Sequence, residues 1–266
     1  MSRRTPQAAR VSPVEVTYLA NEGFLIQGGG HSILIDALFA AGVAGYPAIP
    51  DRERALMMQD APPYNRVDLV LVTHVHSDHF APEVAGQFLT QNLSAMMVAP
   101  QQAVNEFERV FPGFNPIQTR VRAVSPQNET GDEVEIPDIG LKAFHLKHGD
   151  TENNAYLVTL GGRTIFHFGD AEGEPGAMAA MKLDAPVDIA FIPYWFAEEP
   201  DALAAVKQYL RPKQVIFMHF PERKPNNPNL KAELAEVGGL EKLQKKCVAA
   251  WPGAFIFTRQ MEQKEF

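Results

Sequence analysis

A layered α/β fold with a metal site along one sheet edge is what the sequence predicts, on three observations. Strand-like apolar runs alternate with helix-like segments through the middle of the chain, and both ends are rich in strand character. Four apolar runs, Val67 to Val72, Leu141 to Leu146, Arg163 to Phe168 and Gln214 to Met218, are each followed closely by a residue of a metal-binding type. The first leads straight into Thr73-His74-Val75-His76-Ser77-Asp78-His79-Phe80, where three imidazoles and a carboxylate fall within six residues.

In chain order, residues 1–13 form a polar leader. It holds Arg3, Arg4 and Arg10 but no apolar stretch behind them, so it is not an intact signal peptide; a trimmed export signal is the alternative. Residues 14–266 read as one domain, since no repeat, low-complexity segment or composition shift marks a linker. Val14 to Leu19, Gly23 to Gln27 and His31 to Asp36 are short apolar runs with tight turns between them, which predicts an opening β-meander. Residues 39–65 are an insertion rich in glycine and proline, placed to wall a pocket, with a helix-like piece over Asp51 to Gln59. Met57 and Met58 in that piece suit core filling.

Pro82 to Leu89 reads as a helix with Pro82 in its first turn. Ala95 to Val98 reads as a buried strand, and Gln101 to Val110 as a helix stopped by Pro112-Gly113. Strand character resumes over Ile117 to Val124 and Asp132 to Ile136. Later, Leu230 to Val248 is helical with a break at Gly238-Gly239, and Ala254 to Arg259 is a closing strand.

Composition narrows the function. The net charge is −8 and the Lys and Arg residues are scattered, which argues against nucleic acid or an anionic membrane as partner. No run has the length of a membrane span, and a cytoplasmic location is the default expectation. The one cysteine, Cys247, excludes an internal disulfide and a cysteine-rich zinc module. The pattern carries no signal for an oligomeric state.

Imidazoles and carboxylates together suit zinc or a similar first-row metal. His74 and His76, two apart, share one side of an extended segment, while Asp78 and His79 follow the turn and face a second position. Sites in layered α/β folds gather where strand ends meet along one edge. His74, His76 and His148 then form one site, and Asp78, His79 and His219 a second, with Asp170 bridging them. A lone histidine at a strand end is usually a hydrogen-bonded structural residue; four ligand types after one buried strand argue otherwise.

His148 is preferred to His145, and Asp170 to His167, because each adjoins a glycine at a strand exit, where backbone can turn toward a metal. His145 and His167 are assigned supporting roles behind the ligands, as is Asp36, for which plain turn chemistry is the alternative. His31 reads as surface, and Ser77 as a turn former.

The HxHxDH loop, followed in order by His148, Gly169-Asp170 and His219, resembles the metallo-β-lactamase-fold superfamily of metallohydrolases from about Val14 to about His219. The resemblance implies a four-layer αββα sandwich with a dinuclear metal site at one edge of the inner sheets, and it assigns the same ligands. Gly23-Phe24-Leu25-Ile26 and Ile33-Leu34-Ile35-Asp36 look like the opening hairpin of the branch near ascorbate-phosphate lactonase and the phosphodiesterase-like members. Asp170 stands where β-lactamases of this fold carry cysteine or histidine, which turns the expectation away from antibiotics. His148 is followed by Gly149-Asp150-Thr151-Glu152, not by a glyoxalase-II-like signature, and His76 stands where the diiron oxidases usually have glutamate. Nothing after His219 resembles the extra domain of the RNA-processing members.

The activity so implied is hydrolysis of a small-molecule ester, lactone or phosphodiester by a metal-bound hydroxide. It would use two divalent metal ions, zinc foremost, with manganese or iron also suited. Asp78 would orient the hydroxide and take up a proton. Tyr194, in the aromatic run Ile192 to Phe196, is assigned to substrate as a hydrogen-bond donor, with packing as its alternative. Asn154 is assigned to a leaving group, with turn capping as its alternative. Two further readings stay open: an iron-dependent oxidoreductase on the same fold, and a non-catalytic metal-binding protein. A structural site closes its coordination and needs no second metal, which favours catalysis.

Overall fold

A computed structural model describes residues 12–266, so all of the expected leader except Ser12 and Pro13 lies outside the described residues. The chain opens with the meander expected: β1 (Val14–Ala20), β2 (Gly23–Gly28) and β3 (His31–Ile35), paired antiparallel. β-Branched and aromatic residues favour the extended backbone, and alternate side chains leave on opposite faces. Phe24 and Ile26 of β2 enter the space between two sheets, whereas Leu25 faces a helical layer.

After α1 (Asp51–Met58), the same sheet grows by β4 (Leu69–Leu71), β5 (Met96–Ala99) and β6 (Val121–Ala123), each parallel to its predecessor. The crossovers run through α2 (Pro82–Gln91), α3 (Gln101–Val110) and the short α4 (Phe114–Ile117). The second sheet starts with β7 (Asp132–Ile136), β8 (Ile139–His145), β9 (Asn154–Leu160) and β10 (Arg163–His167), antiparallel in succession. β11 (Ile189–Pro193), β12 (Gln214–Met218) and β13 (Phe255–Ile256) then follow parallel to β10. Between them lie α5 (Pro175–Ala180), α6 (Pro200–Ala205), α7 (Pro228–Val237) and α8 (Leu240–Ala250). The last strand, β14 (Gln263–Glu265), returns to the first sheet beside β1.

Three apolar layers result, which makes the fold the αββα sandwich expected. Met57, Phe88, Leu89 and Phe107 pack α1 to α3 on the outer face of the first sheet. Met178, Leu203, Leu234 and Leu243 pack α5 to α8 on the outer face of the second. Phe24, Ile33, Leu69, Tyr156, Phe191 and Ile216 fill the space between the sheets. Each such side chain, taken fully from water, contributes about 1.5–3 kcal/mol. No helix among the described residues is long and apolar enough to cross a membrane.

Three expectations need correction. Residues 117–120 are helical turns, and only Val121–Ala123 form strand; Pro116 in the preceding turn has the fixed φ that a helix start accepts. The closing strand shrinks to Phe255–Ile256, at the edge of the second sheet, and the last strand in the chain is instead β14, in the first sheet. β9 had no counterpart in the sequence reading: Asn153 and Asn154 look like turn residues, yet Asn154 begins a strand.

Candidate metal centre

The parallel strands of both sheets run in the same sense within each sheet, and their C-terminal ends carry the site. β3 delivers Asp36, β4 leads into the loop from Thr73 to His79, β10 ends at Gly169-Asp170, and β12 ends at His219. The two sheets are tied there by hydrogen bonds: Asn154 N–H donates to Thr73 O (2.8 Å) and the Tyr156 hydroxyl to Val72 O (2.8 Å). The exits are sharp because three residues take left-handed backbone, Asp36 (φ 44°), Gly169 (φ 57°) and His219 (φ 63°). At Gly169 a side chain would also collide with Thr73, since a Cβ would stand 2.8 Å from that residue's Cβ.

Two groups of donor atoms face each other across Asp170. In the first, His76 Nδ1 lies 3.0 Å from His74 Nε2 and 3.2 Å from His148 Nε2. Asp170 Oδ2 lies 3.6 Å from His74 Nε2 and 3.7 Å from His148 Nε2. In the second, Asp78 Oδ2 lies 3.7 Å from His79 Nε2 and 3.8 Å from His219 Nε2. Asp170 Oδ1 stands 3.4 Å and 3.2 Å from the same two nitrogens. Donors at about 2.1 Å around a tetrahedral ion stand about 3.4 Å apart, so both groups suit a first-row divalent cation. Asp170 Oδ1 is buried with no hydrogen-bond partner among the described residues, as a carboxylate oxygen reserved for a cation would be.

A layer of hydrogen bonds behind the donors fixes which ring nitrogen faces inward. Asp36 accepts from Thr73 N–H (2.8 Å), from the Thr73 hydroxyl (2.6 Å) and from His79 Nδ1 (3.0 Å). With its proton on Asp36, the Thr73 hydroxyl can only accept from His74 Nδ1, 3.0 Å away. Both imidazoles therefore carry hydrogen on Nδ1 and turn Nε2 toward the site. His167 is spent in a similar layer: its Nδ1 accepts from Gly169 N–H and its Nε2 donates to Glu22 O, both at 3.2 Å. Burial pushes His167 down to about 4, so the ring stays neutral.

The electrostatics also suit cations. Burial alone would raise the Asp170 carboxyl, but His219, His79 and His74 outweigh it and hold the group well below the usual carboxylate range. Burial and the neighbouring His79 keep His74 well below the ordinary imidazole value. At His79 burial is outweighed by Asp170, Asp36 and Asp78, which lift it to about 9. Glu22 is buried beside these acids, and burial with Asp170, Asp36 and Asp78 raises its carboxyl well above the usual range.

Three assignments from sequence do not match their positions. Tyr194 is buried, and its hydroxyl donates to Glu233 (2.5 Å), which occupies the proton expected to serve substrate. Asn154 is buried inside the sandwich, where its amide donates to Val124 O (2.7 Å), a contact that ties β9 to the end of β6. His145 is exposed at the end of β8, beside Pro126 to Glu129, not behind a ligand. Tyr46, from the insertion expected to wall a pocket, packs its ring 4.4 Å from that of His219, and Trp195, in the aromatic run at the exit of β11, lies 5.1 Å from it. Asn21 and Glu22, in the β1–β2 turn, were not singled out in the sequence, yet both are buried against the second donor group.

Comparison with known proteins agrees with this geometry. A family model described as "Beta-lactamase superfamily domain" matches residues 15–219. A protein from Hyperthermus butylicus, named a metal-dependent hydrolase, is 30% identical over 248 residues, 90% of this chain and 96% of that protein. One of the same name from Pyrococcus furiosus is 29% identical over 213 residues, 78% of this chain and 84% of that one. The solved structure of a metallo hydrolase from Ignicoccus hospitalis is 19% identical, covers 96% of this chain and 98% of that chain, and has a TM-score of 0.61.

Proposed function

The chain belongs to the β-lactamase superfamily of metal-dependent hydrolases, and we propose that it works with two divalent cations, zinc foremost, to cleave an ester, lactone or phosphodiester bond in a small molecule. The observation that carries this reading is Asp170, whose two oxygens face separate donor groups, Oδ2 toward His74 and His148 and Oδ1 toward His79 and His219. His74, His76 and His148 would hold one ion, Asp78, His79 and His219 the other, and Asp170 both. Cations bound there supply Lewis acidity, which lowers the pKa of water and polarises a carbonyl or phosphoryl oxygen.

The protein's own share is orientation and proton handling. Asp36 and Thr73 hold the His74 and His79 rings so that only Nε2 points inward. Asp78, in the second group, is placed to take a proton without also joining the two halves of the site. Tyr46 and Trp195 wall the side of His219 and narrow the approach to substrates that tolerate aromatic contact.

Elemental analysis of the purified protein, joined to a hydrolysis screen of lactones, phosphodiesters and β-lactams, tests the reading. The expected result is two divalent ions per chain with turnover of a lactone or phosphodiester. A single iron without hydrolysis would turn the assignment to oxidoreductase chemistry. Asp170→Asn should release one ion and cut turnover at least about 100-fold, with the fold intact by circular dichroism.

A further inference from the structure

We infer that Asn21 is itself a ligand of the second cation through its side-chain amide oxygen, an inference that rests on the two-cation reading above. The terminal atom of its carboxamide lies 3.0 Å from Asp78 Oδ2, 3.4 Å from His219 Nε2 and 3.5 Å from His79 Nε2. Those are the separations that the other ligands keep among themselves. Five donors in a trigonal bipyramid with bonds of about 2.1 Å stand about 3.6 Å apart in the equator and about 3.0 Å from equator to pole. Asp78 Oδ2, at 3.7 and 3.8 Å from His79 and His219 Nε2, fits the equator with them. Asp170 Oδ1 stands 3.4 and 3.2 Å from the two imidazoles, between the two spacings. The Asn21 atom keeps the equator-to-pole spacing to Asp78 and stands 3.4 and 3.5 Å from the imidazoles.

In the structure that atom is Nδ2, while Oδ1 is buried with no hydrogen-bond partner among the described residues. The first fact points to the opposite rotamer once a cation is bound. An amino group turns its hydrogens toward the lone pairs of His79 and His219 that the cation needs, and its partial positive charge repels the ion. A half-turn of the carboxamide exchanges nitrogen and oxygen without changing shape, and puts an acceptor where the cation wants one. The competing explanation is that Asn21 only donates to Asp78. The unpartnered Oδ1 does not decide between the two, because the half-turn sets Nδ2 in the same place. The turn itself does not decide, because an asparagine with φ 49° is ordinary turn chemistry. The placement of the side chain, buried among three donors, is what turn chemistry does not explain.

Asn21→Asp and Asn21→Gly both keep a residue suited to left-handed backbone. Affinity for the second ion is read by competition with a chelator, and ligand number by the visible spectrum of the cobalt(II)-loaded protein. Thermal unfolding of the metal-free forms checks the fold. A ligand role predicts that Asn21→Asp binds as tightly as the parent or up to about tenfold more tightly, because it adds charge to the donor set. Asn21→Gly should bind about 10–100-fold more weakly and change the cobalt spectrum. If Asn21 merely donates to Asp78, the new carboxylate repels Asp78 and Asn21→Asp becomes the weaker binder. That order, or an unchanged cobalt spectrum in Asn21→Gly, overturns the inference. Should the aspartate variant fail to fold, the glycine spectrum decides alone. A parent protein that takes up one ion only defeats the two-cation reading instead.

Discussion

Asp36 accepts three hydrogen bonds, and through them it sets the inward nitrogen of two imidazoles on the loop after β4. Asn at this position keeps the left-handed backbone but turns a donor toward His79 Nδ1–H. Asp36→Asn should therefore weaken cation binding about 10–100-fold with little change in fold, measured by chelator competition and circular dichroism. At this scale the sequence was informative wherever residue type alone signals chemistry. His74, His76, Asp78, His79, His148, Asp170 and His219 all come together in space, and Asp36 and His167 sit behind them. Asn21 and Tyr46 escaped because an amide and a phenol are common in turns and insertions, and only their burial against His219 marks them out. Tyr194 and Asn154 misled for the complementary reason: their polar groups are used up inside the protein, by Glu233 and Val124.

Strand exits are the elements that matter most, and Gly169 shows why. Its φ of 57° and the closeness of Thr73 leave no room for a side chain. Gly169→Ala should cost about 2–4 kcal/mol in urea unfolding and loosen Asp170 from both donor groups. The opposite ends of β10, β11 and β12 are held by Asp188, which accepts from Thr164 N–H (2.8 Å) and from Lys213 (2.7 Å). Burial works against its charge, but Lys213 and Thr164 outweigh it and hold the carboxyl below its ordinary value. A carboxyl depressed on folding stabilises the protein above its unfolded value of about 3.9, and that stability is lost as pH falls through the folded value. Asp188→Asn should thus cost about 1–2 kcal/mol at neutral pH and nothing below the folded pKa, as followed by unfolding at several pH values. Most element types were legible from periodicity; β9 and β14 were not. Asn153 and Asn154 look like turn residues, and Gln263–Glu265 is too short and polar to read as strand without β1 beside it.

Across the whole molecule, each sheet is largely assembled from one half of the chain, and β14 is the exception that crosses back. Val14 and Phe266 exchange backbone hydrogen bonds of 3.2 and 3.0 Å, and Tyr18 N–H donates to Glu262 O at 3.0 Å. Deleting residues 262–266 should cost about 2–4 kcal/mol and raise aggregation in light scattering, since it bares the β1 edge. The layered architecture followed from the resemblance and the alternation of elements, whereas this closure depends on partners 246 residues apart, as in the bond from Gln263 to Thr17. It also sets an order of events during synthesis. β1 emerges from the ribosome early, and its outer edge waits through nearly all of translation for β14 to arrive. Until then the unpaired backbone groups along the β1 edge are open to wrong pairing.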